Sequence, residues 1–482
     1  MCIRDSNLPG GNTPDKPILL GPKCLDINGC EEIWSFFKKH SLDKQLGRGQ
    51  SNRQNARTIW SPEVKKVGDP KGNYLNIEFT ADGKYMIWFE GVEENPTNGI
   101  VWHCAVNQMT GELIPPDGRG FRAFESTSWG RANPGYDNLG SYYIGSDREG
   151  KLIMVRPDGP DQGKIITLSI PADPRRRAIY PTNFTNREGG FVFFIQNEKT
   201  PGAGVRMNGN SWVELQYINL SMPAKIHIVE RQETPRMGFA PMDVGFARWM
   251  RHRPIITYGY LSKQTGKVEI RAFDAENPEQ KPFDAVSDGY SHIDPYPALI
   301  GEYEYIFTGI EGEAKSHIYR RPAGRPADTP FDLFKIISPS SMTRLATPSL
   351  AQSHEPFVLR DRLYTVYQIN EKGRNFWETT FSKPGEIWLA DLSGKTDQQW
   401  LIAPDDAGGV LEPEPLITPH GIWIFYNKPM LEETATAGED DSQARRAGKG
   451  ILRRLLGRQS GRMGSAGKIP RLALYRAEIP DL

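Results

Sequence analysis

The sequence predicts an all-β fold, a β-propeller of seven blades. Three observations lead there: a unit of four short strands, the recurrence of that unit, and a mismatch between the two ends of the array. The clearest unit runs from Ser353 to Pro404. It opens with Ser353–Leu359, turns at Arg360–Arg362 and continues through Leu363–Tyr367. Glu386–Asp391 and Gln398–Ala403 complete it, with β-branched and aromatic residues in the runs and turn formers between them. No run of helical period intervenes. Four such strands in sequence order make one propeller blade.

Six further stretches match this unit in order. They begin near Asn76, Asn133, Pro181, Asp243, Asp294 and Glu412, at intervals of about 46 to 60 residues, the range of repeat arrays. Third strands are legible at Ile100–Val106, Lys151–Arg156, Val213–Leu220, Lys267–Phe273 and His317–Arg320. Fourth strands are legible at Lys164–Ile170, Lys225–Val229 and Phe334–Ile337. The count is seven, or six if the fourth and weakest copy is misread. The last copy is one strand short, because after 421–427 only Arg471–Ile479 follows. A spare strand, Arg57–Trp60, precedes the first copy. That strand is expected to close the ring as the outer strand of the last blade, which removes an exposed edge.

Residues 1–55 are therefore expected to form an N-terminal extension and 56–482 the propeller. The first six residues, Met1–Ser6, read as an adapter-derived start and stay outside the fold argument. Glu31–Leu46 carries Ile33, Trp34, Phe36 and Phe37 among charged residues and predicts one short amphipathic helix. Residues 432–468 interrupt the last blade as a flexible insertion. Their start has the composition of disorder, and Lys449–Arg458 forms a basic amphipathic segment within them.

Lysine and arginine together number 59, matching 59 aspartates and glutamates. This balance gives no electrostatic case for nucleic acid, and no apolar stretch approaches a membrane span. Of the four cysteines, Cys24 and Cys30 lie close enough in sequence for a small disulfide loop, a sign of an oxidising compartment; two free thiols read equally well. Cys104 falls in an expected strand and reads as core.

In a propeller the innermost strands line a central channel. Their starts here carry Asn76, Asn133, Asn183, Asp243, Asp294, Glu355 and Glu412, with Glu414 two positions on. His292, His354 and Arg131 stand just before three of them. The carboxylates Asp243, Asp294, Glu355 and Glu412 are the candidate acid–base groups, since paired carboxyls can cleave a glycosidic bond. Asn76, Arg131, Asn133, His292, His354 and Glu414 are candidate ligand-binding residues. Mixed histidine and carboxylate also fits a divalent cation, although no cofactor is fixed by a motif. Polar residues at these starts can equally hydrate the channel or cap neighbouring strands. His292 and Asp294 are expected to share a face, as strand residues i and i+2 do. Asp294 and Glu355 are both expected to face the channel mouth, beside at least one histidine. No nucleophile elbow, Walker or dinucleotide glycine pattern is present.

Thr80–Phe89 and the segments Asp294–Leu299 and Tyr305–Thr308 resemble the repeats of TolB-type propellers. That resemblance implies an exported periplasmic or extracellular protein that binds a ligand or a protein partner at the channel mouth. Ser353–Leu359, Leu363–Tyr367, Glu386–Asp391 and Trp423–Tyr426 are similar to segments of furanosidase-type propellers, including glycoside hydrolase family 43. That second resemblance implies a carbohydrate-active hydrolase or lyase using the channel carboxylates. A monomer binding a protein or carbohydrate ligand is expected under both.

Overall fold

The computed structural model describes residues 62–430 and 471–479, except 81, 92–98, 127–134, 137–142, 147–150, 156–162, 169–175, 187–188, 199–212, 223–224, 233–246, 251, 340–344, 346–347, 372–382, 384, 395–397 and 405–408. All of them belong to the compact unit Ser61–Leu482. The expected helix at 31–46, the insertion at 432–468 and Cys2, Cys24 and Cys30 lie outside the described residues. Those residues hold 29 strands and no helix, so the class is all-β as expected.

The strands form seven antiparallel sheets. β1 (Glu63–Val67) comes first in the chain but belongs to the last sheet. The first sheet holds β2 (Tyr74–Phe79), β3 (Tyr85–Gly91) and β4 (Gly99–Val106), with β5 (Leu113–Ile114) and β6 (Phe121–Ser126) both pairing with β4. The second holds β7 (Gly135–Tyr136), β8 (Tyr143–Ser146), β9 (Leu152–Val155) and β10 (Ile165–Thr167). The third holds β11 (Arg176–Asn186), β12 (Gly189–Glu198), β13 (Val213–Asn219) and β14 (Ile226–Gln232). The fourth holds β15 (Arg248–Trp249), β16 (Ile255–Leu261), β17 (Val268–Asp274) and β18 (Phe283–Val286). The fifth holds β19 (His292–Ile300), β20 (Tyr303–Ile310), β21 (Ser316–Pro322) and β22 (Asp332–Ile337). The sixth holds β23 (Ser349–Leu359), β24 (Arg362–Glu371), β25 (Gly385–Asp391) and β26 (Gln398–Ala403). The seventh joins β27 (Leu411–Ile417), β28 (Ile422–Pro429) and β29 (Leu472–Glu478) to β1.

Each sheet packs face to face on the next, and the burial of its strands follows from that. β25 is buried along its whole length, as a strand covered on both faces must be. Its run Gly385–Asp391 accordingly lacks the polar alternation of a half-exposed strand. Outer strands are exposed: β10 entirely and β1 over its first four residues. Shared cores join neighbours. Tyr305, Phe307 and Ile318 of the fifth sheet pack with Tyr367, Ile369 and Trp388 of the sixth. Tyr74 and Trp88 of the first sheet pack with Trp423 and Phe425 of the seventh. The first strands also lie side by side, β19 against β23, β23 against β27, and β27 against β2.

The outer strand of the seventh sheet differs from the expected one. It is Glu63–Val67, pairing from Glu63↔Glu478 to Val67↔Leu474. Arg57–Trp60 lies outside the described residues. The strand that does the pairing is exposed over its first four residues and ends its sheet, so it tolerates charge. Lys65 and Lys66 on an edge also discourage pairing with another chain.

Candidate functional site

Four first strands share a device. Their ladders break after Leu75, Ile293, Gln352 and Leu411 and resume at Glu78, Tyr296, Glu355 and Glu414. The residue that follows each break has positive φ: Asn76 (45°), Asp294 (51°), Ser353 (51°) and Glu412 (49°). Side-chain-bearing residues rarely adopt this conformation. Four equivalent occurrences mark a repeated bulge that re-aims the chain.

The bulges are tied to one another across sheets. Asn76 N–H donates to Glu412 Oε2 at 3.0 Å, from the first sheet to the seventh. Ser353 N–H donates to Asp294 Oδ2 at 2.8 Å, from the sixth to the fifth. Glu412 N–H donates to Gln368 Oε1 at 2.9 Å, from the seventh to the sixth. Asp294 and Glu412 therefore satisfy backbone groups that the bulges free from their ladders.

The first paired residue beyond each bulge forms a second tier: Glu78, Tyr296, Glu355 and Glu414. Arg248 of β15 stands with them. Its Nη2 is 3.7 Å from Asp294 Oδ1, and its guanidinium lies over the Tyr296 ring, 4.5 Å from the centroid. Burial works against the Arg248 charge, but Asp294, Glu355, Tyr296 and Glu78 outweigh it and hold the guanidinium more firmly protonated than usual. Burial, with Glu355 and Glu78 adding to it and Arg248 opposing, pushes the Glu414 carboxyl well above its ordinary range. Burial pushes Glu412 up to about 7, against the Asn76 hydrogen bond and with the help of Glu78. Glu78, Arg248, Glu412 and Glu414 all keep partial solvent access. Asp294 is 6% exposed, and its Oδ1 has no hydrogen-bond partner.

Asp294, Glu355, Glu412 and Glu414 are thus brought into one electrostatic group, with Asn76 at its edge. Asp243, Arg131 and Asn133 lie outside the described residues. His292 turns to other partners, whereas His354 stays close enough to the group to feel the charges of Asp294 and Arg248. The bulge at Asp294 breaks the alternation that was expected to put His292 on its face. His292 Nε2 meets Asp288 Oδ1 at 3.0 Å, and Asp288 also accepts from the Tyr319 hydroxyl. His354 is fully buried, with Nε2 2.7 Å from Ser316 Oγ on the neighbouring sheet and its ring parallel to Tyr367. Burial lowers its pKa to about 4, so it is neutral at physiological pH.

The sequence reading did not single out Glu78, Arg248 or Tyr296. A signal for two of them exists: Asn76–Glu78, Asp294–Tyr296, Ser353–Glu355 and Glu412–Glu414 repeat one spacing, a bulge residue and a large side chain two positions on. Arg248 has no such signal, because β15 is two residues long. Among the described residues no group of three His, Cys, Asp or Glu is arranged to hold a metal ion.

No protein-family description matches the chain, and no curated protein matches it. Solved structures do. An oligogalacturonate lyase in complex with manganese is similar at 12% identity and TM-score 0.48, over 89% of this chain and 96% of that one. An oligogalacturonate lyase from Vibrio parahaemolyticus is similar at 11% identity and TM-score 0.47, over 87% and 98%. The β-propeller domain of Cps50 from Myceliophteria thermophila is similar at 9% identity and TM-score 0.43, over 76% and 96%. With antiparallel sheets packed face to face and first strands side by side, the chain is of the general β-propeller kind.

Proposed function

We propose that the seven sheets are the blades of one closed ring, and that the group around Arg248 is a ligand site at the mouth of its channel. Among the described residues, five carboxyl groups and one guanidinium meet there from five sheets. The observation that carries the reading is Asp294 Oδ1, a buried acceptor without a hydrogen bond beside a guanidinium too distant to supply one. Buried polar atoms are ordinarily satisfied, so this one marks where a ligand donor fits. The protein is then a binding propeller, and the TolB resemblance makes it an exported one, acting as a monomer outside the cytoplasm. Equilibrium binding of a panel of oligosaccharides and peptides tests this. Saturable binding that Glu355→Gln abolishes, in a protein that still melts cooperatively, supports it. The absence of any saturable ligand across the panel sinks it.

A second reading is favoured by one further observation. Burial makes Glu414 hold its proton more tightly than an ordinary carboxyl does, while Asp294 stands beside the Arg248 guanidinium, so two carboxyls of one group lie in different electrostatic surroundings. That division is what acid–base cleavage of a glycosidic bond requires. Turnover of an aryl-glycoside or polysaccharide by the purified protein, lost in Glu414→Gln, supports the enzyme; none with any member of the panel leaves the binding protein. A divalent cation is a further candidate ligand, and a calorimetric titration with manganese or calcium tests it directly.

A further inference from the structure

We propose that the group around Arg248 takes a ligand bearing a primary ammonium group, and that Arg248 is its built-in competitor instead of an anchor for an anion. The inference rests on the reading that this group is a ligand site, and it specifies the ligand's charge.

The side chains set the sign. Among the described residues, Asp294, Glu355, Glu78, Glu412 and Glu414 share one electrostatic field with the Arg248 guanidinium. Ionised carboxylates only accept hydrogen bonds. An anionic ligand entering here meets like charge at short range and brings no donor to Asp294 Oδ1, the buried oxygen without a hydrogen bond. An ammonium group brings three donors and a compact positive charge.

The place of Arg248 points the same way. Its side chain is 32% exposed, and Nη2 stops 3.7 Å from Asp294 Oδ1, beyond hydrogen-bond distance. It neutralises the acids without closing on them. The Tyr296 face beneath it, 4.5 Å from the guanidinium to the ring centroid, is a surface that also attracts an ammonium group. Displacing Arg248 from this position leaves both an aromatic face and an unbonded carboxylate oxygen for the ligand.

Protons in the group are the ligand's other competitors. Glu412 and Glu414 hold theirs more tightly than free glutamates do. Among the described residues the groups facing them are Asn76 and Glu78 of β2, Arg248 of β15 and Glu355 of β23, while Asp294 and Tyr296 of β19 face Arg248. A bound ammonium supplies the positive charge that these protons otherwise supply. Binding therefore releases protons and tightens as pH rises through neutrality.

The test titrates the full-length protein with four probes. They are a glucosamine trimer, its N-acetylated counterpart, a galacturonate trimer and a lysine-containing tripeptide. The inference expects binding by the glucosamine trimer, the tripeptide or both, which also tells a sugar amine from a peptide amine. The N-acetylated and galacturonate trimers should bind at least about tenfold more weakly. Arg248→Gln should tighten amine binding, and Glu355→Gln should weaken it about tenfold. Glu414→Gln serves as a second acidic variant if Glu355→Gln does not fold. Three results overturn the inference: no amine binds, the uncharged or anionic trimer binds as well as the amine, or folded Arg248→Gln loses binding. If the galacturonate or N-acetylated trimer binds and Glu355→Gln abolishes it, the site stands and only the ammonium assignment falls. If no probe binds and no member of the wider panel does, the site reading falls as well.

Discussion

Glu412 Oε2 accepts the backbone N–H of Asn76 at 3.0 Å, joining residues 336 positions apart and the seventh sheet to the first. The bond fills a role that a protonated or ionised carboxyl, or an amide oxygen, can fill. Glu412→Gln should therefore keep the seam, whereas Glu412→Ala leaves a backbone donor without its partner and should cost about 1–3 kcal/mol. Chemical denaturation of both variants measures the difference.

The same residue sets a pH dependence. Burial raises the folded-state pKa of Glu412 from 4.5 to about 7, so the native state binds its proton more tightly than the unfolded chain. The contribution to stability is full below pH 4.5 and is lost as pH rises to about 7. A melting-temperature profile over that window should fall more steeply for the wild type than for Glu412→Gln. Equal slopes would remove Glu412 from the account.

Ser353 is a bulge residue with φ of 51°, and its backbone N–H, not its side chain, reaches Asp294. Glycine adopts that φ without the side-chain penalty, at the cost of a more flexible unfolded chain. Ser353→Gly should be neutral or stabilising by less than about 1 kcal/mol, and Ser353→Val should destabilise, since a β-branched residue fits the left-handed region poorly. Thermal melts of the pair decide between them.

Glu304 and Arg321 are 0% and 1% exposed and form an ion pair, with His252 and Arg253 completing the network from the adjacent sheet. Burial opposes the Glu304 charge, but His252, Arg321 and Arg253 prevail and hold its pKa at about 2. Its contribution is present above pH 4.5 and is lost as pH falls towards 2. Arg321→Met should destabilise by about 3–5 kcal/mol, and Arg321→Met with Glu304→Leu should recover much of that loss. A double-mutant cycle in denaturant measures both.

Gly309 of β20 lies against Ala351 of β23 in the neighbouring sheet, and a Cβ there would collide with the Ala351 carbonyl oxygen. Gly309→Ala should therefore lower the melting temperature markedly even though its φ is ordinary. Insensitivity to this substitution would contradict the sheet packing.

The strands were legible where packing dictated composition. The aromatic run Leu363–Tyr367 lies within β24, and Glu386–Asp391 matches β25 to within one residue. Both strands are covered on two faces, so their sequences carry the fold. β1 was hidden because an exposed edge needs no apolar pattern, and Glu63–Val67 shows none. The site was half legible for a related reason. Asp294, Glu355, Glu412 and Glu414 appear as polar residues at strand starts, but which of them sit on a bulge depends on backbone register. Glu355 looked equivalent to Asp294 and Glu412, whereas its true equivalents are Tyr296 and Glu414, and Ser353 takes the bulge. Arg248 belongs to the site through contacts across sheets, which no local pattern encodes.

Leu472 N–H donates to Asn73 Oδ1 across 399 residues, and β29 next to it pairs with β1. Six sheets are built from consecutive stretches and can assemble as each stretch leaves the ribosome. The seventh cannot: β1, among the first described residues to be synthesised, must wait for β29. Until then the nascent chain carries an unpaired flank on β28 and an unpaired strand far behind it. During translation those two edges are the surfaces on which a chaperone, or a neighbouring nascent chain, can act.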